Sequence, residues 1–526
     1  MRDFQAAGRS AVYAGRAMAA TSMPQASLAA VDCLRAGGNA LDAAVAAAAV
    51  LAVVEPQSTG IGGDCFCLFK RRGGPVVALN GSGRAPAGAS MDALAAAGVT
   101  RLRETSPHAV TVPGAVAAWE LLLRTHGRMG LDEVLRPAIR YAEDGFVVAP
   151  RVAFDWRAAA EKLRETGAAG LLVNGAAPAA GAKIRQPDLG KTLRAIAAGG
   201  ARAFYEGEVA AAMVAALRAL GGFHTESDFA AGLHAAEFVT PISGKFAGRD
   251  IWECPPNGSG VIALMIMGIM DGFPAAAGPL DLLRVHRHVE AARLAYRDRD
   301  AFLADPAQAA VPVEHLLGAA YLSGLRELID DTRALDILPP AGALHRDTVY
   351  IAVVDEDGNS CSFINSLFES FGSGIIGGDS GVVLHNRGLG FRLQRGHPNC
   401  IAPGKRPMHT IIPALATAGG EAEVVFGVMG GHYQPMGQSF VLANMLQYGM
   451  DPQAAIDLPR YFPAAGRLEV ETRLPERLRA GLAALGHDVA VLNEPHGGAQ
   501  AIVIDQARGV LVAGSDPRKD GCALGY

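Results

Sequence analysis

The chain lacks any apolar stretch long enough to cross a bilayer. Its longest apolar runs, Ala43 to Val54 and Val261 to Met270, fall short of the roughly 20 residues a spanning helix needs. Residues Met1 to Ala20 mix Arg2, Asp3, Arg9 and Arg16 with small side chains and lack the apolar core of a secretory signal. Positive charge is not in excess: the formal net charge is −5 over 526 residues. That excludes the basic field which phosphate neutralisation demands. The expectation is a soluble, cytoplasmic protein with neither a nucleic-acid nor a membrane partner. Cysteine is scarce and unpatterned. Seven are scattered along the chain, and Cys65-Phe66-Cys67 is a C-x-C pair within an apolar stretch. Reduced core thiols follow. No C-x-x-C or H-E-x-x-H spacing occurs, so no metal is expected, and no G-x-x-x-x-G-K-[ST] supports a bound nucleotide or other cofactor. Long low-complexity tails and internal repeats are also missing.

What is present is material for a large core. Half of the residues are hydrophobic, 19% are charged, and there are 64 glycines. Length alone suggests two to four domains, although a wide layered sandwich can hold one core over several hundred residues. Pro24 to Arg35 reads as an amphipathic helix stopped by Gly37-Gly38-Asn39, and Leu41 to Val54 as a helix buried all round. Ser58-Thr59-Gly60-Ile61-Gly62-Gly63 forms a glycine loop before strands at Cys65 to Lys70 and Pro75 to Leu79. Pro113 to about Ala219 is mostly helical, with Val116 to Leu123, Leu131 to Asp144 and Leu189 to Ala198 the clearest pieces. Phe246 to Glu253 reads as a strand, and Val261 to Met270 and Leu280 to Arg297 as helices.

The pattern breaks at Ile337 to Arg346, where Pro339-Pro340-Ala341-Gly342 has the composition of a surface linker. Beyond it the chain turns strand-rich. Thr348 to Val354 and Ser360 to Leu367 flank the turn Asp355 to Asn359 and read as a hairpin. Further strands are expected at Val382 to Leu384, Ile411 to Leu415, Glu423 to Val428, Leu468 to Val470, Ala499 to Ile504 and Val510 to Ala513. Helices are expected at Met436 to Tyr448 and Glu476 to Leu485.

A threonine that opens a strand directly after a breakable linker suits one chemistry. If the bond before Thr348 is cut, the new α-amine can act as base for its own hydroxyl, which is otherwise a poor nucleophile. Oxyanion donors must then stand nearby, and Gly430-Gly431, just after a strand, offers backbone N–H groups unshielded by a Cβ. Any β-branched residue can begin a strand, and paired glycines often make only a turn. Position alone therefore leaves both roles open. Gly378-Asp379-Ser380-Gly381 imitates a serine-protease motif but continues with Val382 and has no matching His/Asp arrangement.

Ordered blocks along nearly the whole chain settle more. They include Gly37 to Val45, Val53 to Pro56 with Gly60 to Gly63, Val112-Pro113-Gly114, Asp144-Gly145-Phe146, Asp347-Thr348, Phe371 to Gly374, Pro459-Arg460 and Ser515 to Arg518. Together they resemble the γ-glutamyltranspeptidase family of N-terminal nucleophile hydrolases. The resemblance implies an α+β fold, a four-layer α-β-β-α sandwich built from two subunits cut from one precursor. The large, helix-rich subunit is 1–347 and the small, strand-rich subunit is 348–526. It implies a ping-pong acyltransferase or amidohydrolase in which Thr348 attacks a small side-chain amide. Gly430 and Gly431 hold the oxyanion, Ser366 supports the nucleophile, and water or an amine takes the acyl group. The two subunits are partners of one another, and a dimer of heterodimers is a further option.

The departures from the family bear on substrate. The family's arginine for the substrate carboxylate falls at Ser82, with Arg84 two residues on. Its acidic residue for the glutamyl amine falls at Gly390, its glutamine at Arg387, its Ser-Ser pair at His409-Thr410, and its asparagine at Phe368. Arg84 and Arg387, with His409 and Thr410 lining the pocket, suit an acidic acyl donor with little or no α-amine. That resembles the oxamate amidohydrolase branch, whose small-subunit blocks are similar to Phe363 to Arg387 and Met429 to Gln434. His409 and His432 are expected as polar lining, since the free amine already supplies a base. The competing expectation is an unprocessed, non-catalytic relative that binds a small acid.

Overall fold

The computed structural model of the protein describes residues 8–336, 348–464 and 466–526. The linker Ile337 to Arg346 and the Asp347 side of the expected cut lie outside the described residues. Two seven-stranded sheets stack face to face. The first runs, edge to edge, Val12–Ala14, Val510–Ser515, Gly498–Asp505, Glu421–Met429, Ala414–Ala418, Arg249–Glu253, Ile242–Phe246. The second runs Cys522–Gly525, Met18–Thr21, Val349–Val354, Ser360–Ser366, Asp64–Lys70, Val76–Gly81, Glu237–Val239. Each sheet draws strands from both sides of Thr348, so the segment before it and the segment after it share both sheets.

The layers follow from strand periodicity. Successive side chains of Val349–Val354 point to opposite faces. Val349, Ile351 and Val353 join a core with the helix Ala40–Val54, while Tyr350, Ala352 and Val354 join Leu415, Val425 and Ile502 between the sheets. On the far face of the first sheet, Ala414, Ala416, Phe426 and Val428 pack on the helices Gly260–Asp271, Leu282–Phe302 and Gln434–Leu446. Three cores separate four layers: helices, sheet, sheet, helices. A strand covered on both faces must be apolar throughout, which is why Val349–Val354 reads as a continuous run. The Ala40–Val54 helix is buried along its whole length, and Asn39 caps it by accepting from Leu41 N (2.9 Å) and Asp42 N (3.1 Å). Its alanines let the second sheet approach closely.

Four expectations need correction. Phe246 to Glu253 is not one strand but the turn of a hairpin, Ile242–Phe246 with Arg249–Glu253, because Ala247 and Gly248 both adopt positive φ (49° and 76°). Leu131 to Asp144 splits into Leu131–Val134 and Arg136–Asp144, since Pro137 cannot continue the helix entering it. Ile411 to Leu415 is replaced by Ala414–Ala418, a strand that starts only after Pro413. Val382 to Leu384 forms no strand; Val383 makes a single bridge to Ile376. All seven cysteines are free thiols. Ser380 of the protease-like motif is buried, its Oγ donating to Gly377 O at 2.6 Å, and so serves its own turn. Among the described residues, no helix is long and apolar enough to cross a membrane.

Candidate active site

The hairpin register builds the site. Val349 pairs with Asn365, which sets Thr348 beside Ser366 at the hairpin's open end. The closed end is fixed by Asp355, whose Oδ1 accepts from Asn359 N (2.9 Å) and whose Oδ2 accepts from Ala40 N (2.9 Å) at the start of the buried helix. Thr348 Oγ1 and Ser366 Oγ stand 3.1 Å apart, and both residues are buried. Ser366 Oγ also accepts from Phe368 N at 2.9 Å and from Arg387 Nη2 at 3.3 Å. Arg387 Nη1 donates to Thr410 Oγ1 at 2.8 Å. Thr348, Ser366, Arg387 and Thr410 therefore form one hydrogen-bonded line.

Phe368 makes this possible by an unusual backbone. Its φ of 81° turns the chain sharply after Ser366 and brings its ring under the Arg387 guanidinium, 4.0 Å from the ring centroid. Gly63 packs against the same turn, where a Cβ would fall 2.3 Å from Ser366 O. That close approach explains the glycine loop.

Arg387 is completely buried, and burial pulls its guanidinium down to about 9, still charged at neutral pH. Among the described residues no carboxylate lies within ion-pair distance of it. Asp64 and the half-buried Glu369 stabilise its charge from further away. Asp64 is the site's buried anion. Its Oδ1 accepts from Gly83 N (2.9 Å) and Gly114 N (3.2 Å), its Oδ2 accepts from His409 Nε2 (2.9 Å), and His385 Nδ1 stands 3.5 Å away. Burial opposes the Asp64 charge, but His385, His409 and Arg387 outweigh it and hold the carboxyl at about 2. His409 is pushed down to about 3, first by burial and then by Arg387. Its Nδ1 accepts from Ile411 N (3.3 Å) while Nε2–H donates to Asp64, as in a neutral imidazole. The arrangement matches an ionised Asp64, a neutral His409 and a positive charge carried by Arg387.

The remaining expected residues are placed differently. Gly430 and Gly431, at φ 115° and 54°, link the strand Glu421–Met429 to the helix Gln434–Leu446. The next residue, His432, stands with its ring edge-on to Phe368, centroids 6.4 Å apart. His432 Nδ1 pairs with Arg299 Nη1 at 3.0 Å. Arg84 is not hydrogen-bonded to the group around Thr348. Its Nη1 donates to Gly404 O (3.1 Å) and pairs with Asp305 (3.5 Å), and its Nη2 lies 3.8 Å from Glu237. Asp64, His385 and Glu369 are the residues that sequence reading misses. For Asp64 a signal exists: it directly follows the glycine loop and opens a wholly buried strand, where an acid is rare unless paired.

The gamma-glutamyltranspeptidase family pattern matches residues 26–526. The chain belongs to the gamma-glutamyltranspeptidase family. It is 38% identical over 506 residues to the glutathione hydrolase-like YwrD proenzyme of Bacillus subtilis, covering 93% of this chain and 94% of that one. It is 37% identical over 518 residues to the oxamate amidohydrolase proenzyme of Klebsiella pneumoniae, covering 95% and 97%. The crystal structure of cephalosporin acylase from Bacillus halodurans superposes with a TM-score of 0.93 at 38% identity, covering 100% of this chain and 99% of that one. The chain is thus a threonine-nucleophile enzyme of the self-processing N-terminal nucleophile type, a hydrolase or acyltransferase with the α+β sandwich of its family. Its proenzyme relatives do not favour an unprocessed binding protein.

Proposed function

We propose that the chain cuts itself between Asp347 and Thr348 into segments 1–347 and 348–526, and that Thr348 then carries the acyl group of a small amide. The line Thr348–Ser366–Arg387–Thr410 at the end of the hairpin supports this reading above all. In it, the α-amine freed by the cut takes the Thr348 hydroxyl proton, and Oγ1 attacks the amide carbon. Ser366, which accepts from Phe368 N and Arg387, shares a hydrogen bond with Thr348 Oγ1 and so orients it. Gly430 and Gly431 N–H groups, at the mouth of the helix Gln434–Leu446, receive the oxyanion. The C–N bond breaks, the leaving amine departs with the proton from the α-amine, and an ester on Thr348 is left. Water attacks that ester to give the free acid, or an amine attacks to give a new amide.

For the substrate we infer an acyl group bearing a carboxylate. Arg387 is a buried cation hydrogen-bonded to two hydroxyls, and an anionic acyl donor would supply the counter-charge. Gly390, where an acid would face a glutamyl ammonium, offers no charge. The reading is therefore hydrolysis of a small anionic amide in preference to transfer from glutathione.

Electrophoresis and kinetics test both parts. Mature protein should run as two bands, which scaling of 54.4 kDa by segment length puts at about 36 and about 18–19 kDa. Thr348→Ala should stay a single band and lose activity by about 10⁴-fold or more. A mutant that still splits before position 348 refutes the processing role. A panel of γ-glutamyl anilide, glutathione, oxamate and dicarboxylic monoamides then ranks the donors. Glutathione turned over faster than the small anionic amides defeats the substrate inference and leaves the nucleophile untouched.

A further inference from the structure

Away from the catalytic line, a second set of buried polar groups joins the segment before Thr348 to the segment after it. His286 and Glu290 sit one helical turn apart on Leu282–Phe302 and so face the same way. His487 comes from the loop that follows the helix Glu476–Ala484. All three are buried, and one ligand atom from each lies within 4.8 Å of the others. We propose that His286, Glu290 and His487 bind a divalent transition-metal cation, best met by zinc, as a structural clamp between the two segments.

His286 Nε2 is 2.8 Å from the carbonyl of Asp330, which can only accept, so the proton is on Nε2 and Nδ1 holds a lone pair. Histidine ligands to metals are oriented by just such a bond from the other ring nitrogen to a carbonyl. The Nδ1 lone pair points at His487 Nε2, 2.8 Å away. Without metal, one proton sits between the two nitrogens. A cation takes its place, and the proton leaves to solvent. Zn–N bonds of about 2.0–2.1 Å at a tetrahedral angle put the nitrogens roughly 3.3 Å apart. His487 need therefore withdraw by about half an ångström, a small movement for a residue on a loop. Glu290 is held ready: Arg293 Nη1 donates to Oε1 at 2.9 Å and Leu335 N to Oε2 at 2.7 Å. Each oxygen keeps a second lone-pair site, and ligating carboxylates are themselves normally hydrogen-bonded. A cavity of about 300 Å³, lined by Val289, Arg293, Leu335 and Gly486 among others, reaches His487, the side from which an ion and a water as fourth ligand would come.

Two imidazole nitrogens, one carboxylate and a water match zinc in a tetrahedral site, whereas calcium and magnesium want all-oxygen shells. The H-x-x-x-E spacing and the remote third histidine explain why a scan for H-E-x-x-H finds nothing. The cluster lies apart from Thr348, so its role is to hold the fold, not to do the chemistry.

The test uses the full-length protein, stripped with a chelator, incubated with zinc chloride, desalted and assayed for metal by mass spectrometry. The expected result is one equivalent of zinc per chain in the wild type and almost none in His487→Gln. A wild type that retains no stoichiometric zinc, or a His487→Gln that retains as much as the wild type, overturns the proposal. Should His487→Gln fail to fold, Glu290→Gln takes its place. Cobalt(II) added to the stripped wild type gives an answer that needs no variant. A strong tetrahedral visible band supports the site, and the pale spectrum of six-coordinate aqueous cobalt rules it out.

Discussion

Two arginines are completely buried among the described residues, and their surroundings differ in kind. Arg460 meets the carboxylate of Asp516, donates to the carbonyl of His496 at 2.7 Å and reaches that of Ile456 at 3.4 Å. Asp516 in turn pairs with Arg518, which grips Glu471 at 2.7 Å. Arg387 meets two hydroxyls and the face of Phe368. Taking a guanidinium out of water is costly unless an anion and good hydrogen bonds answer it. Around Arg460 the protein supplies the anion itself, which marks a structural network. Around Arg387 the neighbouring groups are those of the nucleophile, and the nearest anions act only from a distance. The lesson is that a buried charge given poor internal partners is one reserved for a ligand.

Substituting each arginine gives the largest expected contrast. Arg460→Met strands Asp516 without its partner in the interior and should destabilise the fold by about 3–5 kcal/mol. Arg387→Met removes a cation that makes no ion pair among the described residues and takes from Asp64 only a more distant counter-charge, so the unfolding free energy should fall by less than in Arg460→Met, by about 1–2 kcal/mol. Its kcat/KM for an anionic amide should nevertheless fall by about 100-fold, the loss of one charge-assisted contact to a carboxylate. Unfolding curves and steady-state kinetics on the two variants decide the matter. If Arg387→Met unfolds while Arg460→Met holds, the assignment of roles is inverted.

The same contrast shows how far the sequence could be read. Both arginines stand in blocks that are plain in the chain, yet nothing in Pro459-Arg460 or Ser515 to Arg518 says that these distant pieces meet as one ion network. The hairpin after Thr348 was legible because its strands are buried on both faces and its turn is Asp/Gly-rich. The layers were legible through family resemblance more than through periodicity, since strands covered on both sides lose the alternation that identifies them. Short strands such as Val12–Ala14, Met18–Thr21 and Cys522–Gly525 carry too few residues to show a period, and they form only because the sheets recruit them. Thr348, Ser366, Arg387 and Thr410 come together as their positions suggest. Asp64 escapes because its role exists only when His385 and His409 fold back onto it from more than three hundred residues away.

Acid should separate the two networks next. His409 is buried neutral with its pKa lowered to about 3, so between an unfolded value near 6.5 and about 3 the unfolded chain binds a proton that the folded chain refuses. Stability therefore falls as pH drops through that window, by up to about 1.4 kcal/mol per pH unit for each such histidine. His224 and His288 add the same trend from other parts of the fold. Asp64 is depressed to about 2, so its contribution is full above the unfolded carboxylate range and is lost only from about 4 down to about 2. In the Arg460 network the carboxyls of Asp516 and Glu471 are both depressed, so their contribution should hold until that lower range. Melting temperature followed from pH 7 to pH 3 in wild type and His409→Gln checks this. The variant should lose part of the slope above pH 4 and keep the steep fall below it. An unchanged slope would mean that His409 is already charged in the folded protein.

The smallest effect belongs to Arg84, the arginine that sequence alone places beside Arg387 in the substrate pocket. Its guanidinium is a third exposed and is shared among Asp305, Glu237 and the carbonyl of Gly404. By the reasoning that sets Arg387 apart from Arg460, a cation so answered has little left for a ligand. Its ion pairs stand at 3.5 and 3.8 Å; Asp305 is buried but keeps the backbone N–H groups of Arg406 and Ala307, and the guanidinium is partly solvated, so each pair is worth about 1 kcal/mol or less. Arg84→Met should accordingly change stability by under about 1 kcal/mol, and kcat/KM for an anionic amide by under about threefold. A rise in KM of tenfold or more, with kcat and the unfolding midpoint unmoved, would show that Arg84 leaves Asp305 for the substrate. It would then be a second carboxylate-binding arginine, and partners in the resting structure would no longer suffice to tell a structural cation from a functional one.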